Sequence, residues 1–362
     1  MYTRFGDNDI VTRTAAELVT STWSGNTNNM QVAYTSSDQA IFTTPTSSGH
    51  FYVNVYNEVS ESSSTEVQYA VSYGHSLGSG SPDFTNDTGS FGLGASRVIY
   101  NQYRQLHYND DTANFTFGNH TPESIYVINI NRSRYKQRLT LGSMNLTLSG
   151  SAIGSTANQT EIHLTDDSVT NGLAGNSTNN GGCLGPWYNV VSGSNGILSG
   201  SATNQITLDV VTSTYGKFYP EAGLIILNAE VFSGSLQPLT NPGAADNSDK
   251  NHVTFLHHIC DHGNNINVDH TGSFIVDTTE EINSQFYFCR AMNHQFNYTN
   301  NESFVDEARN VRIDSMRLNP KVFITTVGLY NDAFDCVAVA KLSQPVAKDF
   351  TKEALIRVKL DY

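Results

Sequence analysis

The densest group of side chains able to do chemistry is a segment rich in histidine and cysteine in the last third of the chain. It reads His257-His-Ile-Cys-Asp-His262, with two further histidines nearby. On a strand, His258, Cys260 and His262 would alternate onto one face and offer nitrogen and sulfur ligands to zinc. A structural zinc site needs a second ligand pair, and none with familiar spacing is present. We therefore predict no metal here, and a half-buried strand whose histidines bond to backbone groups or lie at a subunit contact.

A short basic run stands out because the rest of the chain is acidic. Arg132, Arg134, Lys136 and Arg138 occupy every second position directly after an apolar segment. If that segment is a strand and continues, alternation places all four charges on one face. We predict that this row contacts an acidic surface of a neighbouring subunit, because same-face charges steer association and set register. An acidic strip of the same chain, or a solvated strand edge, would also explain the pattern.

Motifs typical of enzymes give little support for a reaction. The chain has no Walker loop, no His-Glu-x-x-His motif and no dinucleotide-binding fingerprint. The pair Asp166-Asp167 could hold a cation, but adjacent aspartates in a loop usually form a turn. We predict a protein that is not an enzyme and that carries no cofactor.

Composition narrows the class of protein and of partner. Charged residues make up 15% of the 362 residues, the formal net charge is −14, and aromatic residues make up 10%. The aromatic content supplies apolar mass for real cores, so the chain is expected to fold. An acidic surface repels phosphate backbones, so nucleic acid is not an expected partner.

The spacing of the cysteines and the length of the apolar segments indicate the cellular compartment in which the protein is made. The four cysteines are widely and irregularly spaced, and Cys289 and Cys336 stand within apolar runs. We predict that these two are buried thiols, and that the protein is made and assembled in a reducing cytosol. The N-terminal segment is not apolar, and no stretch is long enough to span a membrane, so no membrane partner is expected.

Hydrophobic periodicity predicts a chain built mostly of strands. Residues 51–56 and 66–73 form two strands around a polar turn, and therefore an antiparallel pair. The one convincing helix covers residues 97–106, where apolar side chains recur at helical spacing. Further strands are expected at 124–131, 206–211, 223–229, 253–259, 274–276 and 286–290.

The C-terminal segment carries the clearest strand patterns. Residues 323–330 and 336–342 are two apolar, β-branched runs around a polar connection, which is typical of a β-hairpin. Residues 355–362 alternate strictly, with Ile356, Val358, Leu360 and Tyr362 on one face. We expect this last strand to be buried on that face within a C-terminal sheet.

The predicted fold is mainly β, with antiparallel, sandwich-like sheets, long polar loops and one short helix. Three segments are expected. Residues 1–150 form an N-terminal β-rich domain with the helix, and residues 251–362 form a C-terminal antiparallel β domain. Residues 151–250, rich in glycine, serine and asparagine, form a loop-rich insertion or a middle β domain.

Several of these stretches together resemble virion structural proteins of contractile-tailed, myovirus-type bacteriophages, including those that infect cyanobacteria. The similarity covers both ends of the chain and little of residues 150–250. The stretches that carry it are 96–104, 125–134, 288–301, 327–343 and 356–362. These are packing motifs without catalytic residues.

The resemblance implies a non-enzymatic component of a virion, assembled in the host cytoplasm from several copies or subunits. Its place is expected in the tail, at the baseplate wedge or its periphery, with other virion structural proteins as partners. Head or neck remains an alternative. So does a receptor- or carbohydrate-binding tail component, for which Trp187-Tyr188 offers the one obvious aromatic platform.

Overall fold

The structure is a computed structural model of the chain. It describes a set of residue ranges, to which all that follows is confined: 3–23, 52–57, 66–80, 94–150, 160–198, 214–232, 251–259 and 272–361. The strand predicted at 206–211 and two of the three metal candidates, Cys260 and His262, lie outside these ranges.

Strands dominate the described residues, which confirms the predicted fold class. The strands are β1 (Ile10–Ser21), β2 (Tyr52–Tyr56), β3 (Val67–His75), β4 (Ser124–Ile130), β5 (Arg138–Leu139), β6 (Asn145–Gly150), β7 (Thr160–Asp166), β8 (Gly175–Asn176), β9 (Pro186–Ser194), β10 (Ile197–Leu198), β11 (Gly216–Tyr219), β12 (Leu224–Asn228), β13 (Ser273–Ile275), β14 (Asp277–Ala291), β15 (Val322–Tyr330), β16 (Cys336–Lys348) and β17 (Ala354–Asp361). The α-helices are α1 (Ala95–Tyr108), α2 (Asn251–Ile259) and α3 (Ser315–Leu318).

The chain forms two compact units. The terminal unit joins Met1–Glu17 to Glu281–Tyr362, and the central unit is Leu18–Glu280. These boundaries differ from the three predicted segments, because pairing between distant strands decides which residues pack together. The described part of residues 151–250 supplies β7, β9, β11 and β12 to the middle of the central sheet, so it is integral to that unit.

The central unit is built on one large antiparallel sheet. Its strands follow the order β13-β6-β7-β9-β11-β12-β4-β3-β2, with β8 and β10 paired to β9. The predicted antiparallel pair is confirmed as β2 and β3, with Val53 opposite Val71. The predicted strands at 124–131 and 223–229 are β4 and β12, which pair with Val127 opposite Ile226.

Both faces of the middle strands of this sheet are buried. On β4, Ile128 belongs to the larger core, while its neighbour Val127 belongs to a second core. The helix predicted around residues 97–106 is confirmed as α1, whose Ile99 and Tyr100 lie in that second core. Two-sided burial explains why β4 reads as a continuous apolar run and not as an alternating one.

The terminal unit contains two separate strand arrangements. In the first, β14 lies between β1 and β17, and eight residues of β17 pair antiparallel with β14. The predicted terminal strand is therefore confirmed. Its face alternation is also confirmed, because Leu355 on the outer face is exposed. On the predicted inner face Val358 is buried, but Ile356 and Leu360 are only half-buried, and Tyr362 lies outside the described residues. The second arrangement is the predicted hairpin, formed by β15 and β16 as a two-stranded sheet.

Candidate assembly interface

The hairpin of β15 and β16 is largely exposed for its length among the described residues. Leu329 of β15 and Lys348 of β16 are its buried positions, at 7% and 1% exposure, and every other position is half-buried or exposed. An isolated two-stranded sheet is marginal in water and needs a further strand or packing surface. Among the described residues, β15 and β16 pair only with each other.

The strand register defines an exposed face, which we call the outer hairpin face. Gly328 lies opposite Val339 and Tyr330 opposite Cys336, so these four side-chain positions share a face. A β-bulge between Ile324 and Thr326 lets the exposed Phe323 fall on the same side as Gly328 and Tyr330. Phe323 is 62% exposed, Tyr330 is 44% exposed and Val339 is 65% exposed.

Gly328 allows the aromatic ring of Tyr330 to fold back over the strand. A Cβ atom at position 328 would lie 2.8 Å from Cε2 of Tyr330, closer than such contacts occur. The turn that joins the strands adds Phe334, which is 65% exposed, and Val337, which is 66% exposed. Tyr330, Val339 and these two turn residues thus form an apolar surface at the turn end of the hairpin, and Phe323 lies near the opposite end of β15.

The cysteine of this hairpin corrects one prediction. Cys336 was expected to be a buried thiol, but it is exposed, and Cys289 on β14 is only half-buried. Burial raises the pKa of the Cys289 thiol. The apolar run around Cys336 has the composition of a buried strand, and no part of the described chain covers it.

The basic run does not form the expected one-faced row. β4 ends at Ile130, and a single 3-10 turn covers Arg132–Arg134 before the two-residue strand β5 begins at Arg138. The side chain of Asn131 accepts a hydrogen bond from the backbone N–H of Ser133 at 3.1 Å, which turns the chain away from strand geometry. The prediction of a continuing strand is therefore wrong.

Intramolecular contacts already engage the basic side chains. Arg134 pairs with Glu66 at 2.7 Å, and Lys136 pairs with Glu280. The guanidinium of Arg132 lies 4.5 Å from the ring centroid of Tyr135 and donates to the backbone oxygen of that residue. Arg138 is half-buried in β5. This geometry matches the alternative of an acidic strip within the same chain, and the predicted contact with another subunit stays a prediction.

The histidine segment is helical, which corrects the predicted strand at 253–259. His258 lies on α2 and is 7% exposed. Phe255, Leu256 and Ile259 of the same helix belong to the larger core, so helical spacing fills the core here. Within the described ranges, no group of three or more potential metal ligands is close enough to hold an ion. The expectation that no metal is bound stays a prediction, since Cys260 and His262 are not among the described residues.

A buried polar cluster in the central unit was missed by sequence reasoning. His107 of α1 is fully buried, and its Nδ1 lies 2.9 Å from the hydroxyl oxygen of Tyr219 on β11. Burial, and then the positive charge of Lys217, lower the pKa of His107 to about 3. Burial also lowers the pKa of Lys217 to about 8. In the sequence, the alternation of Lys217 and Tyr219 on a short strand looks the same whether the strand is buried or lies at an exposed sheet edge. The cluster was therefore not predictable from this pattern.

Trp187, part of the aromatic platform predicted from Trp187-Tyr188, belongs to the same buried cluster. The amine of Lys217 lies 4.3 Å from the ring centroid of Trp187, and the rings of His107 and Trp187 are 4.8 Å apart. A lysine over an aromatic face is held by the quadrupole of the ring. Trp187 thus packs within the chain, where it covers a buried cation.

The adjacent aspartates Asp166 and Asp167 accept hydrogen bonds from neighbouring segments of the chain. Asp166 and Asp167 are both buried. Asp166 accepts a hydrogen bond from the backbone N–H of Gly142 at 2.8 Å. Asp167 accepts three, from the backbone and side-chain amides of Asn189 and from the side chain of Asn171, at 2.8 to 3.1 Å. Each carboxylate therefore joins segments that are distant in sequence.

One further pattern, Gly74-His-Ser-Leu-Gly78, has the spacing of a nucleophile elbow and was also missed. Here β3 lies between antiparallel neighbours, whereas the elbow belongs to a strand that feeds a helix from a parallel sheet. Nδ1 of His75 accepts a hydrogen bond from the backbone N–H of Leu77 at 3.0 Å, so it cannot act as a base toward Ser76. Gly74 instead allows close approach of α1, because a Cβ there would lie 2.8 Å from the backbone nitrogen of Tyr100.

Comparisons of the chain with protein-family models, curated proteins and solved structures found no match. In the described part of the chain, no helix is both long enough and apolar enough to cross a membrane. The candidate site is therefore defined by its own geometry: an exposed apolar hairpin in the terminal unit.

Proposed function

We propose that this protein is a non-enzymatic structural component of the virion of a contractile-tailed bacteriophage, placed in the tail at the baseplate or its periphery. It acts by binding other virion subunits. The resemblance at both ends of the chain supports the class of protein, and the outer hairpin face supports the mode of action. Its localisation would then be the virion, after assembly in the host cytoplasm.

The observation that carries the proposal is the mismatch between composition and burial in β15 and β16. The sequence of the hairpin is that of a core element, with phenylalanine, tyrosine, isoleucine, leucine, valine, alanine or cysteine at most positions. In the single chain, Phe323 and Val339 are nevertheless more than half exposed. Soluble monomers rarely expose contiguous apolar surface of this kind, and such surfaces mark contacts with other proteins.

The arrangement of the other polar groups is consistent with a scaffold. The buried carboxylates of Asp166 and Asp167 are saturated with hydrogen bonds from the chain itself. Trp187 is engaged by Lys217, so the observation that favoured a carbohydrate-binding tail component no longer supports it.

Quantitative mass spectrometry of purified particles tests the proposal. Tails and heads should be separated from a disrupted virion preparation, and the copy number of this chain measured in each fraction. We expect a constant, stoichiometric number of copies in the tail fraction. Absence from virions, or presence in heads alone, would refute the placement, and hydrolysis of host polysaccharide by the purified protein would refute the non-enzymatic role.

A further inference from the structure

We propose that the outer hairpin face binds a second copy of this chain, hairpin against hairpin. This inference rests on the proposed function, because it names the first partner that the assembly surface takes. The hairpin consists of two strands that pair with each other and with no other strand among the described residues. Within the described part of the chain, no strand pairs with either outer edge of the hairpin, and the outer hairpin face is exposed.

The exposed apolar area is large enough to require cover. Phe323 and Phe334 are 62% and 65% exposed. Each of these two rings leaves on the order of 120 Å² of surface in water, Phe323 near one end of the hairpin and Phe334 in the turn at the other. Tyr330, Val337 and Val339 extend the surface around Phe334, which takes it into the range of patches that mark interfaces.

The distribution of charge indicates why the partner is a second copy. The terminal unit holds 12 Lys and Arg against 13 Asp and Glu, a net charge of −1, whereas the central unit holds 8 against 21, a net charge of −13. Two copies that met through their central units would bring like charges together. Contact through the nearly neutral terminal units avoids this repulsion. Charge repulsion therefore does not oppose self-association at the hairpin.

Charges on the hairpin also complement one another across a two-fold axis. Lys341 lies opposite Thr326, well along β16 from the turn, and the ion pairs among the described residues do not include it. The turn at the other end carries the fully exposed Asp332, whose ion pair with Arg4 is long, at 3.9 Å. In a two-fold, antiparallel arrangement of two hairpins, Lys341 of each copy would face the turn of the other.

Sedimentation or light scattering of the full chain over a range of concentrations tests the inference. We expect a homo-oligomer whose dissociation constant rises at least about tenfold in Val339→Lys, because the charge would be desolvated at the centre of the contact. The matched control is Val98→Lys, since Val98 is an exposed valine of α1 in the central unit, at 55% exposure. This control should associate like the unaltered chain.

Thiol labelling supplies a second readout that does not depend on mass. Cys336 and Cys183 are both exposed in the single chain, and only Cys336 lies on the hairpin. Maleimide should label Cys336 slowly in the oligomer and rapidly in Val339→Lys, with Cys183 labelled equally in both. Unchanged circular dichroism would show that the variant is folded.

The outcomes separate the two proposals. A chain that is monomeric at all concentrations, or an oligomer that Val339→Lys leaves intact with Cys336 freely labelled, overturns the hairpin contact between copies. Neither result affects the detection of the chain in tails, which tests the proposed function alone. An oligomer that depends on Val339, in a protein absent from virions, would support the contact and refute the function.

Discussion

Acidification should destabilise the central unit through one buried histidine. The pKa of His107 is about 3 in the folded chain, because burial and the charge of Lys217 disfavour the imidazolium. An unperturbed histidine has a pKa of about 6.5. Below about pH 6.5 the unfolded chain therefore binds a proton that the folded chain does not. The contribution of His107 to the free energy of unfolding is fully present above about pH 6.5 and is lost as the pH falls toward 3. Between pH 7 and pH 4 the loss from this residue is about 3 kcal/mol.

Urea denaturation at the two pH values measures this loss, with His107→Gln as the matched variant. Glutamine can still form a hydrogen bond with the hydroxyl of Tyr219, but it does not titrate. We expect the variant to lose about 3 kcal/mol less than the unaltered chain when the pH is lowered, since carboxylates contribute equally to both. An equal loss of stability in the two proteins would refute the assignment of a neutral, buried imidazole.

Three other results are expected from the contacts of named residues. Asp167→Ala should reduce the free energy of unfolding by about 1–3 kcal/mol in urea, because it leaves the half-buried backbone and side-chain amides of Asn189 without their acceptor, while the exposed Asp111→Ala should have little effect. Deletion of residues 354–361 should give insoluble protein, since β14 loses its partner strand; a soluble product with an unchanged melting temperature would contradict this. A double-mutant cycle on Arg134 and Glu66 should give a coupling energy below about 1 kcal/mol, as for other partly exposed ion pairs, and a much larger value would contradict the geometry.

Strands with a clear period were predictable from the sequence. In β17 the alternation of side chains matches the alternation of burial, with Val358 inside and Leu355 outside. In β17 one face meets an apolar layer, so the period of the sequence and the period of burial coincide. In β3 the predicted face, with Tyr69 and Val71, also lies in the larger core, but Gln68 and Ser72 of the other face are buried as well.

Elsewhere, predictions from side-chain periodicity were wrong, either because local hydrogen bonds ended a strand or because the apolar run was short. The period of two in the basic run was real, but the side chain of Asn131 caps a 3-10 turn and ends the strand before the first arginine. In α2 the run from Val253 to Ile259 is too short for periodicity to separate a strand from a helix. Contact with the core then decided the conformation, and that contact depends on residues far away in the sequence.

The hairpin shows a different limit of sequence-based prediction. The residues around Cys336 predict burial, and the exposure of Cys336 in the single chain contradicts it. A sequence records the environment of a side chain in its final assembly, whether the neighbours come from the same chain or from another. The exposed residues around Cys336, which have the composition of a core, are therefore the basis for the proposal that this surface contacts another subunit.

The most direct test of the account is the incorporation of hairpin variants into particles. Infected cells would supply Phe323→Asp in place of the unaltered chain, with Val98→Lys as the control, and purified virions would be assayed for both proteins. We predict that Val98→Lys is incorporated at the normal copy number, and that Phe323→Asp is absent from particles although it is soluble and folded. Normal incorporation of Phe323→Asp would contradict the claim that this protein assembles through its exposed hairpin.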